Sequence, residues 1–368
     1  MQKALALAVL IIYVTTVKAQ TLFLVAGQSN AVGIGNADSS AQYQCAGCYE
    51  YSSATQSLWP LKDPVGYTAA NEDFQAAYTG SCWPAFAYTY NQLTGDSAIL
   101  IQAAKGGTAC HALADGGAGN WSDSYHLFSQ AVGKAKAAEA FTGKQISGIV
   151  WLQGESDAVG IYNGKITACQ YKQALQDLIQ RFRNQLHCNL PFYIIQTGLF
   201  TEPFDDVFNQ AREIQRQVAA EDYLTFIVDS TANGYRSLGW MADQIHFDQR
   251  ALNAMGTNAA HAIYLLQGQY NFDSCYTIPT APLSPDWAVY PSPFKEELTI
   301  EVRNFTCADL EVQLTDLKGR KLLQDTYRCS GTMPILKTIN TQALQPGMYI
   351  ATVQLNKQYT ITQKVVKE

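Results

Sequence analysis

Short and nearly continuous hydrophobic runs alternate, between residues 21 and 267, with segments whose apolar positions repeat at helical spacing. Continuous runs indicate strands buried on both faces, because a strand with one solvated face would alternate apolar and polar residues. We therefore predict an α/β domain with a parallel sheet between two layers of helices. The predicted strands cover residues 22–26, 97–103, 146–152, 192–196 and 224–228.

Four helices are predicted between and after these strands, and the clearest has Leu175, Leu178 and Phe182 on one face. Residues 39–80 differ, because they are polar, rich in tyrosine and weakly periodic. We expect them to form a long loop near the functional site rather than part of the core. The predicted helices cover residues 125–141, 169–185, 206–220 and 248–266.

The pattern changes after residues 276–286, where three prolines predict a stiff linker. Beyond the linker, apolar and polar residues alternate with period two. This alternation predicts a small antiparallel β-sandwich over residues 287–368, with strands at 298–302, 310–317 and 349–355.

The N-terminal residues 1–19 predict an export signal that is cleaved after Ala19. Lys3 precedes an apolar run over residues 4–14, which is shorter than the ~20 residues of a membrane-spanning helix. The mature chain would therefore begin with the first domain, residues 20–275, and would hold no stable membrane span.

Composition narrows the choice of partners and compartment. The net charge of −6 argues against nucleic acid as a partner, because binding a phosphate backbone needs a basic surface. In an oxidising compartment most of the nine cysteines should pair, although the odd number leaves at least one over. We expect a loop-stapling disulfide between Cys45 and Cys48, and a second between Cys307 and Cys329 in the C-terminal segment.

A serine stands where the first strand ends. The run 22–26 stops at Gly27 and leads through Ser29 into a turn that opens toward a helix. Backbone N–H groups at such a position favour developing negative charge, which would assist a nucleophilic serine. The alternative is that Ser29 only caps the helix.

A serine nucleophile needs a base and an acid that orients it, and His246 and Asp243 are the candidates. Their separation in a turn before the last helix places both side chains on one side. Asp229, at the end of the fifth predicted strand, is the alternative acid. An oxyanion would be met by the N–H of Ser29, by that of Gly106 or Gly107, and by the Gln153 side chain. We expect no metal or other cofactor.

Four blocks together resemble the SGNH hydrolases, and within them the sialate O-acetylesterase and acetylxylan esterase branch, carbohydrate esterase family 6. The resemblance implies a three-layer, flavodoxin-like fold, with Ser29 as nucleophile, His246 as base and Asp243 as its partner. It also implies an oxyanion hole formed by Ser29, Gly106 and Gln153. The blocks are GQSN at 27–30, KGGT at 105–108, WLQGESD at 151–157 and DQIHF at 243–247.

The C-terminal segment resembles the sorting domains of type IX secretion, which implies that the secretion machinery delivers the protein to the medium or to the outer cell surface. A carbohydrate-binding sandwich is the alternative. The motifs are YPSPF at 290–294, LTDLKGRKL at 314–322 and LQPGMYIATV at 344–353.

These features predict a secreted serine esterase that removes O-acetyl groups from an oligo- or polysaccharide through an acetyl-serine intermediate. Two alternatives stay open: a lipase or thioesterase of the same fold, and a surface glycan-binding protein without catalysis. An α/β-hydrolase is disfavoured, because Ala31 stands where its nucleophile turn usually has glycine.

Overall fold

A computed structural model describes most of the chain from residue 19 onward. Residues 1–18 of the predicted export signal, residues 276–285 of the predicted linker and the Cys307–Cys329 pair lie outside the described residues. The predicted disulfide between Cys45 and Cys48 is present. The described residues are 19–41, 45–67, 73–270, 272, 286–303, 309–328, 335–355 and 359–368.

The first domain is built on a seven-stranded sheet in the order β3-β2-β4-β1-β5-β6-β7. Every neighbouring pair is parallel except β2 with β3, so the predicted sheet is confirmed with one antiparallel edge. The strands are β1 Gln20–Gly27, β2 Cys48–Ser52, β3 Ser57–Pro60, β4 Ser97–Ala104, β5 Ile146–Leu152, β6 Phe192–Ile195 and β7 Thr225–Asp229.

The expectation of a long loop over residues 39–80 was wrong, because β2 and β3 lie within it. Tyr51, in β2, is only 1% exposed and packs in the core. These strands are short and polar in sequence, and they are held by pairing with β4 and with each other. Tertiary pairing therefore overrides their weak local pattern.

Helices cover both faces of the sheet, as predicted. Successive residues of β1 point to opposite faces, so that Phe23 packs with α2 and α7 whereas Leu24 packs with α3, α5 and α6. The helices are α1 Ser29–Val32, α2 Trp83–Thr94, α3 Leu127–Thr142, α4 Glu155–Tyr162, α5 Ala168–Gln185, α6 Asp205–Glu221 and α7 Gln249–Gln269.

The central strand β1 marks a reversal in the sheet topology. The chain passes from β1 to one side, ending at β4, and then crosses to β5 on the other side of β1. In open parallel sheets, ligands bind at the carboxyl edge beside such a reversal. The loops after β1, β4 and β5 meet at this edge, and they carry Ser29, Gly106 and Gln153.

The C-terminal region forms the predicted antiparallel sandwich. One sheet has the order β11-β10-β13-β14 and the other β12-β9-β8, and they share a hydrophobic core that includes Ile300 and Val353. None of the helices in the described parts of the chain is long and apolar enough to span a membrane. The strands are β8 Asp286–Tyr290, β9 Glu297–Arg303, β10 Asp309–Asp316, β11 Lys321–Arg328, β12 Ile335–Asn340, β13 Gly347–Leu355 and β14 Tyr359–Lys367.

Candidate active site

Ser29 is the first residue after a sharp turn at the end of β1. The turn requires Gly27, because its φ is +141° and a Cβ there would lie 2.0 Å from the carbonyl oxygen of Leu152. The helix that follows is a single turn of four residues. Within the described structure the Ser29 N–H has no hydrogen-bond partner, as is usual for the first N–H groups of a helix.

Three side chains form a continuous chain of hydrogen bonds at this turn. The Oγ of Ser29 lies 2.9 Å from Nε2 of His246, and the His246 Nδ1 lies 2.7 Å from Oδ2 of Asp243. A neutral imidazole with its proton on Nδ1 satisfies both bonds, since Nδ1–H then donates to the carboxylate and Nε2 accepts from the hydroxyl. This is the arrangement that a serine hydrolase uses to activate its nucleophile.

The carboxylate of Asp243 is held by its own turn. Its Oδ1 accepts hydrogen bonds from the backbone N–H groups of Ile245 and His246, each at 2.8 Å. Partial burial raises the pKa of Asp243, but the hydrogen bonds from the His246 side chain and from these two N–H groups outweigh it, and the net pKa lies below the usual value. The group is therefore a carboxylate at neutral pH.

Asn30, next to the serine, ties the loop of His246 to the sheet. Its Nδ2 donates to the carbonyl oxygen of Ile245 at 3.2 Å, and its Oδ1 accepts from the N–H of Phe247 at 3.2 Å. The same Nδ2 donates to Oε1 of the buried Glu155 at 2.7 Å. Burial raises the pKa of Glu155, and the bond from Asn30 opposes that change.

Gly106, in the loop after β4, lies against the serine. A methyl group placed on Gly106 would be 3.7 Å from the Cβ of Ser29, whereas one on Gly107 would meet Ala118 instead. The N–H of Gly106 donates to Oε1 of Gln75 at 2.8 Å. Of the two glycines considered from the sequence, Gly106 is therefore the one that lies beside Ser29.

Gln153 is completely buried at the end of β5. Its Nε2 donates to Oδ2 of Asp157 at 2.5 Å, and no hydrogen bond joins it to Ser29 among the described residues. The Asp157 carboxylate also accepts from the N–H groups of Cys110, at 2.7 Å, and His111, at 2.9 Å. Burial raises the pKa of Asp157 to about 6, although these donors oppose the change.

The alternative acid, Asp229, does not contact His246. Its carboxylate accepts from the Thr231 hydroxyl at 2.8 Å and from the Asn258 amide at 3.2 Å. The other four histidines have different partners: His111 with Leu113, His126 with Asp73, His187 with Glu139, and His261 with Thr257. No group of three or more potential metal ligands occurs in the described residues.

Residues 19–272 match the family model described as carbohydrate esterase, sialic acid-specific acetylesterase. The chain belongs to this carbohydrate esterase family. The resemblance inferred from the four sequence blocks is thereby confirmed, as is the fold that it implied. The family match does not test the roles of individual side chains, so the assignment of the site residues stays a prediction.

Two comparisons place the carbohydrate esterase domain among relatives. A probable carbohydrate esterase of Arabidopsis thaliana is 25% identical over 262 residues, covering 66% of this chain and 89% of the relative. A solved structure of the same Arabidopsis thaliana protein covers 67% of this chain and 98% of its own, with a TM-score of 0.53 and 20% identity, and so shares the fold. A carbohydrate acetylesterase from Xanthomonas citri matches 90% of this chain and 74% of its own, with 15% identity and a TM-score of 0.47.

The C-terminal sandwich has its own match. Residues 288–368 fit the secretion system C-terminal sorting domain. This carbohydrate esterase is therefore a substrate of type IX secretion that reaches the medium or the cell surface, as its sequence predicted.

Proposed function

We propose that this protein is a serine esterase that removes acetyl groups from carbohydrate hydroxyls, with Ser29, His246 and Asp243 as its catalytic residues. The observation that carries the proposal is the 2.9 Å contact between the Ser29 Oγ and the His246 Nε2, continued at 2.7 Å to Asp243. Such a linked set can activate a serine hydroxyl as a nucleophile.

The reaction proceeds in two stages. Ser29 Oγ attacks the acetyl carbonyl while His246 Nε2 takes the hydroxyl proton. The tetrahedral intermediate collapses to acetyl-Ser29, and His246 returns the proton to the departing sugar oxygen. Water, activated by the same imidazole, then releases acetate and restores the serine. Asp243 stabilises the imidazolium that forms in each stage.

The negative charge that develops on the acetyl oxygen requires pre-aimed donors, each worth about 10²- to 10³-fold in rate. We assign this role to the N–H groups of Ser29 and Gly106 and to the Gln153 amide. The unpaired N–H of Ser29 and the closeness of Gly106 to Ser29 support the first two. The Gln153 amide donates to Asp157 and, at 3.4 Å, to the carbonyl oxygen of Thr108, so the acetyl oxygen would replace the longer of these two bonds.

We further propose that residues 20–275 form the catalytic unit and that residues 287–368 form the sorting unit, with an export signal before them and a linker between them. The family matches at 19–272 and 288–368 support this division. The family description supports an acetylated carbohydrate of the sialate type, and the name of the Arabidopsis relative supports a carbohydrate ester in general. The xylan type is proposed from the resemblance of the four sequence blocks alone.

The test is acetate release from acetylated xylan and from O-acetylated sialic acid by wild type and by Ser29→Ala. We expect release from at least one of these by the wild type, and its loss in the variant with an unchanged circular dichroism spectrum. Turnover retained by the variant would exclude Ser29 as nucleophile. Rates that rise with the length of the acyl chain in a series of chromogenic esters would favour a lipase or thioesterase instead.

A further inference from the structure

Gln75 lies beside the proposed nucleophile, on the segment between β3 and α2. Its side chain is exposed, yet its Oε1 accepts the hydrogen bond of the Gly106 N–H at 2.8 Å. The position of a Cβ built on Gly106 lies 3.0 Å from this oxygen and 3.7 Å from the Cβ of Ser29. The Gln75 amide and the serine therefore flank the same glycine.

The backbone N–H and the backbone carbonyl oxygen of Gln75 are both held by hydrogen bonds. Its N–H donates to the carbonyl oxygen of Ala104 at 2.9 Å, and its own carbonyl oxygen accepts from Nε2 of the buried Gln102 at 2.6 Å. The side chain is thus carried on a rigid base at the end of β4. An exposed side chain on such a base changes rotamer in nanoseconds without any movement of the loop.

The backbone N–H of Gly106 has one hydrogen, and this hydrogen points at the amide carbonyl oxygen of Gln75. An acetyl ester would present the same kind of oxygen to the Gly106 N–H. We propose that the Gln75 carboxamide occupies the oxyanion hole of the free enzyme and that the acetyl oxygen must displace it. This proposal rests on the proposed function, in which Gly106 stabilises the oxyanion. Gln75 thus determines the fraction of enzyme molecules in which the Gly106 N–H is free to bind the oxygen of a weakly bound ester.

The size of this effect follows from the strength of one hydrogen bond. Apparent affinity falls in proportion to the population of the competent state. An exposed neutral hydrogen bond stabilises the occupied state only modestly, so removal of the amide should raise kcat/KM about three- to tenfold. The developing oxyanion displaces the amide because a hydrogen bond to a charged oxygen is the stronger one.

Three variants separate this role from a structural one. Gln75→Ala and Gln75→Asn remove or shorten the amide, and both should raise kcat/KM for 4-nitrophenyl acetate. Gln75→Glu places a charged acceptor on the Gly106 N–H and should lower kcat/KM by about tenfold or more, and the ratio of its kcat/KM to that of the wild type should recover as the pH falls and the carboxylate is protonated. Gln173→Ala, an exposed glutamine on α5, serves as the matched control and should change nothing.

A boronic acid supplies a readout besides turnover, because its tetrahedral adduct on Ser29 presents an oxygen to the same N–H. Its inhibition constant should fall in Gln75→Ala by the factor by which kcat/KM rises. A loss of kcat/KM in Gln75→Ala and Gln75→Asn, or no change in either measurement, would overturn the proposal. Wild-type protein that releases no acetate and binds no boronic acid would instead overturn the proposed function.

Discussion

Asn30 donates a 2.7 Å hydrogen bond to the buried carboxylate of Glu155, and the same side-chain amide bonds to the residues on either side of His246. One amide thus joins the turn after β1, the start of α4 and the loop that carries the proposed base. The position of the imidazole relative to Ser29 depends on this junction.

Asn30→Ala should lower kcat at least 100-fold, because the loop of His246 loses two hydrogen bonds and the imidazole loses its alignment. It should also lower the free energy of unfolding by about 2–4 kcal/mol, because the buried carboxylate of Glu155 loses the hydrogen bond that Asn30 donates. Acetate release and urea denaturation measure the two effects.

Glu155→Gln is the matched control for Asn30→Ala. It keeps an acceptor oxygen for Asn30 and should retain kcat within about tenfold. A larger loss than that caused by Asn30→Ala would assign Glu155 a part in the chemistry rather than in the support of Asn30.

Asp243→Asn should lower kcat about 10³- to 10⁴-fold with little change in KM. The amide nitrogen would donate to Nδ1 of His246 and force the ring proton onto Nε2, which could then no longer accept from Ser29. Asp123→Asn, at an exposed carboxylate paired with Arg181, should keep wild-type kcat. Equal activity of the two variants would exclude Asp243 as the orienting acid.

Gly27→Ala should destabilise the protein by about 3 kcal/mol or more. The added Cβ would lie 2.0 Å from the carbonyl oxygen of Leu152, and the φ of +141° is strained for any residue with a side chain. Gly133→Ala, at an exposed position of α3 with open space around it, should instead stabilise by about 0.5–1 kcal/mol. Urea midpoints that move in the same direction for both variants would contradict this expectation.

The contribution of Asp157 to the free energy of unfolding should decrease between pH 4 and pH 7. Burial raises its folded-state pKa from 3.8 to about 6, so the folded protein holds this proton to a higher pH than the unfolded chain does. The contribution is fully present below pH 4 and is lost as the pH rises through 6, by roughly 3 kcal/mol in total.

The difference in unfolding free energy between wild type and Asp157→Asn isolates this contribution. It should decrease as the pH rises over the same range. A pH-independent difference for Asp157→Asn would show that burial does not favour the protonated carboxyl.

Strong hydrophobic runs were sufficient to predict the central part of the fold. The strand expected at 146–152 is observed as Ile146–Leu152, and the strand expected at 97–103 extends one residue further to Ala104. Helix α2 was missed, although Pro84 near its start and Gly95 at its C-cap, with φ of +77°, are ordinary boundary signals. Strands β2 and β3 lack a local signal, because the pairing of β2 with β4 and of β3 with β2 decides their structure.

In the candidate site, too, some residues could be identified from the sequence, whereas the roles of others depend on the fold. Ser29, Asp243 and His246 were found from residue type and position, and the structure brings them into contact. Asn30 and Asp157 stand within the sequence blocks, but their roles depend on buried hydrogen bonds between distant segments. Gln75 carried no sequence signal, because its contact with Gly106 joins residues 31 positions apart through the fold.

The bond between Ser29 and His246 spans 217 residues of chain, from the first strand to the turn before the last helix of the domain. A growing or partly unfolded chain therefore lacks the assembled site until residue 246 has docked against β1, since no shorter segment holds both groups. Under the proposed mechanism, hydrolytic competence would arise only when the domain closes, so unfolded protein would be inert toward acetyl esters.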